Sequence, residues 1–118
     1  MEKPLMMCFI FFQKVIDVLK VDVEGSEWAS MEVMLKNRTL NKVKQFVLEI
    51  HAFLEGSSKV SKQGYLRYYN ILLGLEIQGF RRYHNNYNLW GRRLSQFTNK
   101  IITCCYEIYY ININYLID

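Results

Sequence analysis

The sequence predicts an α/β fold: a sheet of parallel strands closed by a final strand running against the others. Residues 15–23 and 43–51 are short, β-branched and nearly continuous apolar runs, the pattern of strands covered by helices on a parallel sheet. Amphipathic stretches at about 26–37 and 62–78 follow these runs, so strands and helices alternate, and right-handed crossovers join them. Two further strand-like runs, 80–87 and 104–113, are separated only by a coil at 88–103, which suits antiparallel neighbours.

Val15 to Val23 reads Val-Ile-Asp-Val-Leu-Lys-Val-Asp-Val and is expected to be buried on both faces. Glu24-Gly25-Ser26 ends it. Ser26 is a good N-cap residue, and Glu27 favours a first helical turn. Trp28, Met31 and Leu35 then recur at i, i+3 and i+7. Phe46, Val47, Leu48 and Ile50 carry the second strand, and residues 54–64 form a polar loop. In the second helix Leu66, Tyr69, Leu73 and Ile77 mark an apolar stripe, widened by Tyr65, Tyr68, Leu72 and Leu75. Gly79 is a natural stop just past its end. Phe80 to Tyr87 is a shorter, more polar strand, and Tyr106, Ile108 and Tyr110 alternate with Glu107 and Tyr109 in the last one.

At 118 residues the chain holds at most one domain, taken as residues 15–118 behind an N-terminal apolar segment, 1–14. Hydrophobic residues make up 51% and charged residues 22%, which excludes a disordered chain. The net charge of +4 comes from scattered basic residues, so no nucleic-acid partner is expected. Pro4 to Phe12 is too short to span a bilayer. It fits a signal-peptide core, but its flank is charge-balanced and no small-residue cleavage site follows, so a buried segment is expected. The compartment is open: cytoplasmic, or the secretory pathway if residues 1–12 act as a signal. In the second case Asn37-Arg38-Thr39 would be a glycosylation acceptor. The three cysteines, Cys8, Cys104 and Cys105, lack metal spacing and are expected as buried thiols.

Ligands of open α/β sheets bind beyond the carboxyl ends of the strands. Two strands end here in Asp22-x-Glu24 and Glu49-x-His51, and residues i and i+2 share a face, so four titratable groups are expected at one edge. Asp22 or Glu49 would serve as general base toward a hydroxyl or amine, with His51 sharing the role. A carboxylate–imidazole set also suits a divalent cation, although no metal is assigned. The alternatives are structural: Asp22 and Glu24 accepting backbone N–H groups at the helix start, and His51 as a satisfied strand-end residue.

The run Ile16-Asp17-Val18-Leu19-Lys20-Val21-Asp22-Val23-Glu24-Gly25-Ser26-Glu27-Trp28 closely resembles the segment around strand four of FkbM-type S-adenosylmethionine-dependent methyltransferases, most of all their animal methyltransferase-like branch. Val47-Leu48-Glu49-Ile50-His51, Tyr68-Tyr69 with Leu75 and Gly79-Phe80, and Cys105-Tyr106-Glu107 with Asn112 extend the resemblance over about residues 15–115. It implies the C-terminal half of a Rossmann-like class I methyltransferase sheet, strand order 4-5-7-6, with the last strand antiparallel. It implies S-adenosylmethionine as cofactor, Asp22 and Glu24 on its side, Asp22, Glu49 and His51 as catalytic residues, and an unknown methyl acceptor. The Gly-rich turn with which such enzymes approach the cofactor is missing: no G-x-G occurs in the chain. The chain is therefore expected to be a fragment, a truncated gene model or a degenerate copy, inactive alone. The other class of function is a non-catalytic α/β interaction module, secreted or not. Cut between strands 1 and 4, such a half-sheet would leave residues 15–23 as an apolar edge. It would then self-associate, or be shielded by Met6 to Phe12.

Overall fold

A computed structural model describes residues 14–116 except 53, 56, 57, 89, 90 and 96. The segment 1–13, with Cys8 and the shielding role expected of Met6 to Phe12, lies outside the described residues.

The elements are β1 (Ile16–Val21), α1 (Glu27–Lys36), a 3-10 turn (Thr39–Lys42), β2 (Val43–His51), β3 (Leu54–Glu55), β4 (Ser58–Lys59), α2 (Lys62–Ile77), β5 (Phe80–Tyr87), β6 (Arg92–Leu94), β7 (Ile101–Thr103), β8 (Cys105–Asn112) and a closing 3-10 turn (Ile113–Tyr115). The main sheet has four strands in the order β1-β2-β8-β5. β1 and β2 are parallel, and β8 is antiparallel to both β2 and β5. The expected polar loop at 54–64 contains the small hairpin β3–β4, and the coil at 88–103 contains the hairpin β6–β7. Both are too short for periodicity to reveal.

α1 and α2 pack on one face of the sheet. Trp28, Met31, Met34, Tyr68, Ile71 and Leu75 meet Phe46, Leu48, Ile50, Phe80, Ile108 and Tyr110 there. Phe46 centres the aromatic part, edge-on to Phe80 at 6.1 Å and beside Tyr110 at 6.4 Å. The opposite face, carrying Lys20, Gln45, Glu49, Glu107 and Tyr109 among others, has no helix on it among the described residues.

Two expectations are corrected here. β1 is not buried on both faces: Val18 is 55% exposed, because no described helix covers its side of the sheet and no described strand pairs with its outer edge. In α2 the core-facing stripe is Gly64, Tyr68, Ile71 and Leu75, with Tyr65 and Leu72 half-buried. Leu66, Tyr69, Leu73 and Ile77, expected to mark the buried stripe, face solvent, with Leu66 at 61% and Ile77 at 78% exposure.

Local stops follow the residue chemistry. Ser61 has extended backbone and its Oγ accepts from Gly64 N at 3.0 Å, a side-chain N-cap for α2. Gly79 ends α2 at φ +105°, which a side chain would strain. α1 is capped otherwise. Ser26 has helical backbone and makes no side-chain cap bond, so the expected capping role is not its own. Glu27 Oε2 instead accepts from Gly25 N at 2.7 Å. At the far end of the sheet Asn112, buried, donates to Val43 O at 3.0 Å and accepts from Asn114 N at 3.0 Å, tying β8 to the start of β2.

Cys104 and Cys105 are joined by a disulfide rather than left as thiols. Both are buried, and Gly91 packs so closely on them that an added Cβ would stand 2.8 Å from Cys104 Sγ. Backbone bonds from Cys104 N to Gly91 O (2.9 Å) and from Asn88 N to Cys105 O (3.0 Å) hold the surrounding chain against the pair.

Candidate functional site

The parallel pairing of Ile16 through Val21 with Val43 through Leu48 brings the carboxyl ends of β1 and β2 side by side. Asp22 follows directly on β1, and Glu49 and His51 close β2. One ligand atom of each lies within 4.8 Å of the others, at the end of the uncovered sheet face. Asp22 is exposed, and Glu49 and His51 are half-buried. Three of the four expected groups therefore come together. Glu24 does not join this set: β1 ends at Val21, and Glu24 turns away at φ +49° ahead of Gly25 at φ +103°. The i, i+2 argument fails there because the backbone is no longer extended.

His51 is held from behind. Glu27 Oε1 accepts from His51 N at 2.8 Å and lies 3.0 Å from His51 Nδ1. Trp28 Nε1 donates to His51 O at 2.9 Å, and Tyr65 Oη donates to Ala52 O at 3.0 Å. Trp28 is itself fixed by stacking on Tyr68, ring centroids 3.9 Å apart. The end of β2 is thus clamped by the first turn of both helices. His51 Nε2 faces forward, 3.7 Å from Glu49 Oε1.

Desolvation by its neighbours pushes the Glu49 carboxyl above its ordinary range, and the hydrogen bond and negative charge of Asp22 push it the same way. Across the sheet Glu49 stands opposite Glu107. The Tyr109 hydroxyl, which donates to Glu107, and the Lys20 ammonium, 3.0 Å away, hold the Glu107 carboxyl below the usual range. Glu107 also raises Lys20 through that pairing. Chemically, the arrangement offers a forward-facing imidazole nitrogen beside two neighbouring carboxyl groups, with a compensated ion pair next to it.

Glu27 is the residue that inspection of the sequence passed over. Its signal was present: positions 27, 31 and 34 lie on one helical stripe, and a carboxylate in phase with two buried methionines must find donors.

Over 102 aligned residues the chain is 32% identical to "Probable methyltransferase-like protein 24" of Rattus norvegicus and 32% identical to the human protein of the same name. The chain resembles methyltransferase-like proteins. The alignments cover 82% of this chain but 28% of the rat and 27% of the human protein, so the chain spans little more than a quarter of the relatives' length. No family model and no solved structure matches it. Among the described residues no helix is long and apolar enough to cross a membrane.

Proposed function

We propose that this chain supplies the C-terminal half of an FkbM-type, S-adenosylmethionine-dependent methyltransferase domain and bears the acceptor-side base of its active site. The observation that carries the reading is the convergence of Asp22, Glu49 and His51 at adjacent carboxyl ends of parallel strands. The methyltransferase-like relatives and the sheet order β1-β2-β8-β5 support it.

The residues present fit part of the cofactor. An acidic strand end suits a sulfonium cation, and the Asp22–Gly25 turn is open, with nothing within 4 Å of a side chain built at Gly25. No G-x-G turn exists in the chain to approach the nucleoside portion, so the chain alone is not expected to bind the cofactor tightly. When bound, the cofactor supplies an electrophilic methyl group. Asp22 is taken to lie on its side of the site; Glu24, expected there too, turns away from the set. Glu49 in its ionised form, or His51 with its ring fixed by Glu27, takes the proton from an acceptor hydroxyl or amine. The Cys104–Cys105 disulfide favours an oxidising compartment for the working protein.

The test is a chimera in which residues 15–116 replace the matching segment of the rat relative, assayed for conversion of S-adenosylmethionine to S-adenosylhomocysteine with an acceptor library. Activity that falls about 10²-fold or more in Glu49→Gln or His51→Gln supports the reading. An active chimera indifferent to Asp22→Asn, Glu49→Gln and His51→Gln overturns it.

A further inference from the structure

We propose that Asp22, Glu49 and His51 form a site for a divalent first-row transition ion, Mn²⁺ or Zn²⁺ in preference to Mg²⁺ or Ca²⁺. The proposal rests on the reading of this strand end as the working site and sharpens it: with an ion bound, Glu49 and His51 would serve as its ligands, and the ion, as a Lewis acid, would take over the activation of the acceptor.

Two independent features point there. The first is the donor set. A carboxylate oxygen from Asp22, one from Glu49 and an imidazole nitrogen from His51 lie within 4.8 Å of one another. Metal–ligand bonds of about 2.0–2.2 Å put tetrahedral ligand atoms about 3.3–3.6 Å apart, so the set must close by about 1 Å on binding, a movement open to the exposed Asp22 side chain. Imidazole beside carboxylates suits transition ions better than the all-oxygen shells of Mg²⁺ and Ca²⁺.

The second feature lies behind the site. Glu27 is fully buried; its Oε1 accepts from the His51 backbone N–H and lies 3.0 Å from ring Nδ1. A carboxylate oxygen at that distance places the ring hydrogen on Nδ1 and leaves the Nε2 lone pair facing Glu49. A buried carboxylate that orients an imidazole from its far nitrogen is the usual outer support of a metal-binding histidine. Three lone-pair donors then converge on one point. The adjacent ammonium, Lys20, is engaged by Glu107 at 3.0 Å and leaves that point to another cation. Trp28 and Tyr65 fix the backbone of His51 and Ala52, so the ligand set is rigid on the β2 side and adjustable on the Asp22 side.

The experiment uses the full chain with Mn²⁺ and Zn²⁺ as probes and no methyl donor, so its outcome is separate from that of the transferase assay. Calorimetry is expected to show one ion per chain. Asp22→Asn, an exposed substitution that leaves packing intact, weakens binding by at least about tenfold, and Glu27→Gln weakens it about 10–100-fold through the ring orientation. Electron spin echo spectra of the Mn²⁺ complex show nitrogen modulation that His51→Gln abolishes. Circular dichroism confirms that each variant is folded. No saturable binding below about 1 mM, or equal affinity in the parent and Asp22→Asn, or a Mn²⁺ complex without nitrogen coupling, overturns the proposal.

Discussion

Glu27 Oε1 stands 2.8 Å from the backbone nitrogen of His51 and 3.0 Å from its Nδ1, so a single buried carboxylate at the start of α1 fixes both the end of β2 and the direction of the imidazole. The other oxygen of the same group, Oε2, holds Gly25 N at 2.7 Å and shapes the turn after β1. One side chain therefore joins the ends of two strands to the helix that crosses between them.

Removing that acceptor leaves several donors unsatisfied, each costing about 1–3 kcal/mol where it is shielded from water. Glu27→Ala is expected to lose about 2–4 kcal/mol of stability, and Glu27→Gln less, because the amide oxygen still accepts. Urea denaturation measures both. Equal midpoints for Glu27→Ala and the parent would contradict this assignment.

The two faces of α2 provide an internal contrast. Leu75 is fully buried, and Leu75→Ala is expected to cost about 2–5 kcal/mol. Leu66→Lys and Ile77→Lys, on the exposed stripe, are expected to change stability by no more than about 0.5 kcal/mol. Thermal melts of the three variants rank the faces.

Alkaline unfolding isolates Tyr110. Burial pushes its hydroxyl up to about 12. In the unfolded chain it ionises near its ordinary value of about 10. A group raised on folding contributes stability that is present below the unfolded value and is lost as pH rises through the folded one. Stability should therefore fall between about pH 10 and 12, and Tyr110→Phe should flatten that loss by about 2 kcal/mol. Denaturation at stepped alkaline pH shows whether the slope depends on this residue.

Acid-range behaviour should divide between two carboxylates of opposite sign. Glu107 is lowered by Tyr109 and Lys20, so its contribution is present above the ordinary carboxylate range and is lost as pH falls below it. Glu49 is raised by desolvation and Asp22, so its contribution is present at low pH and is lost as pH rises through that range. Glu107→Gln should make the protein less sensitive to acid, and Glu49→Gln should remove the decline on the neutral side. If both variants shift the melting-temperature profile in the same direction, the cluster geometry is wrong.

β1 pairs only with β2 among the described residues, and an apolar edge of this kind recruits strands. The purified chain is expected to self-associate in size-exclusion chromatography with light scattering. A monodisperse monomer whose amides at 16–21 exchange slowly would overturn that expectation.

Much of this molecule was legible in its residues. Periodicity located both helices and the four strands of the main sheet. Gly79 punctuates α2, and Asp22, Glu49 and His51 stand out by their places at strand ends, because these features depend on neighbours within a few positions; the Ser61 cap showed itself only in the structure. Residues separated by long stretches of chain settled the rest. Leu66, Tyr69 and Ile77 repeat with the same helical period as Tyr68, Ile71 and Leu75, and only the docking of α2 on Phe46 and Phe80 decides which stripe is dry. Glu24 and Asp22 share a face only while the backbone stays extended, and the turn at Gly25 ends that. Glu27 carries its carboxyl group into the core because the end of β2, 24 positions later, brings the His51 backbone N–H and ring Nδ1 to meet it. Sequence by itself determined which groups this protein could place at a strand end; tertiary structure decided which of them meet, because burial and hydrogen bonding across the crossover are properties of the packed layers and not of any one segment.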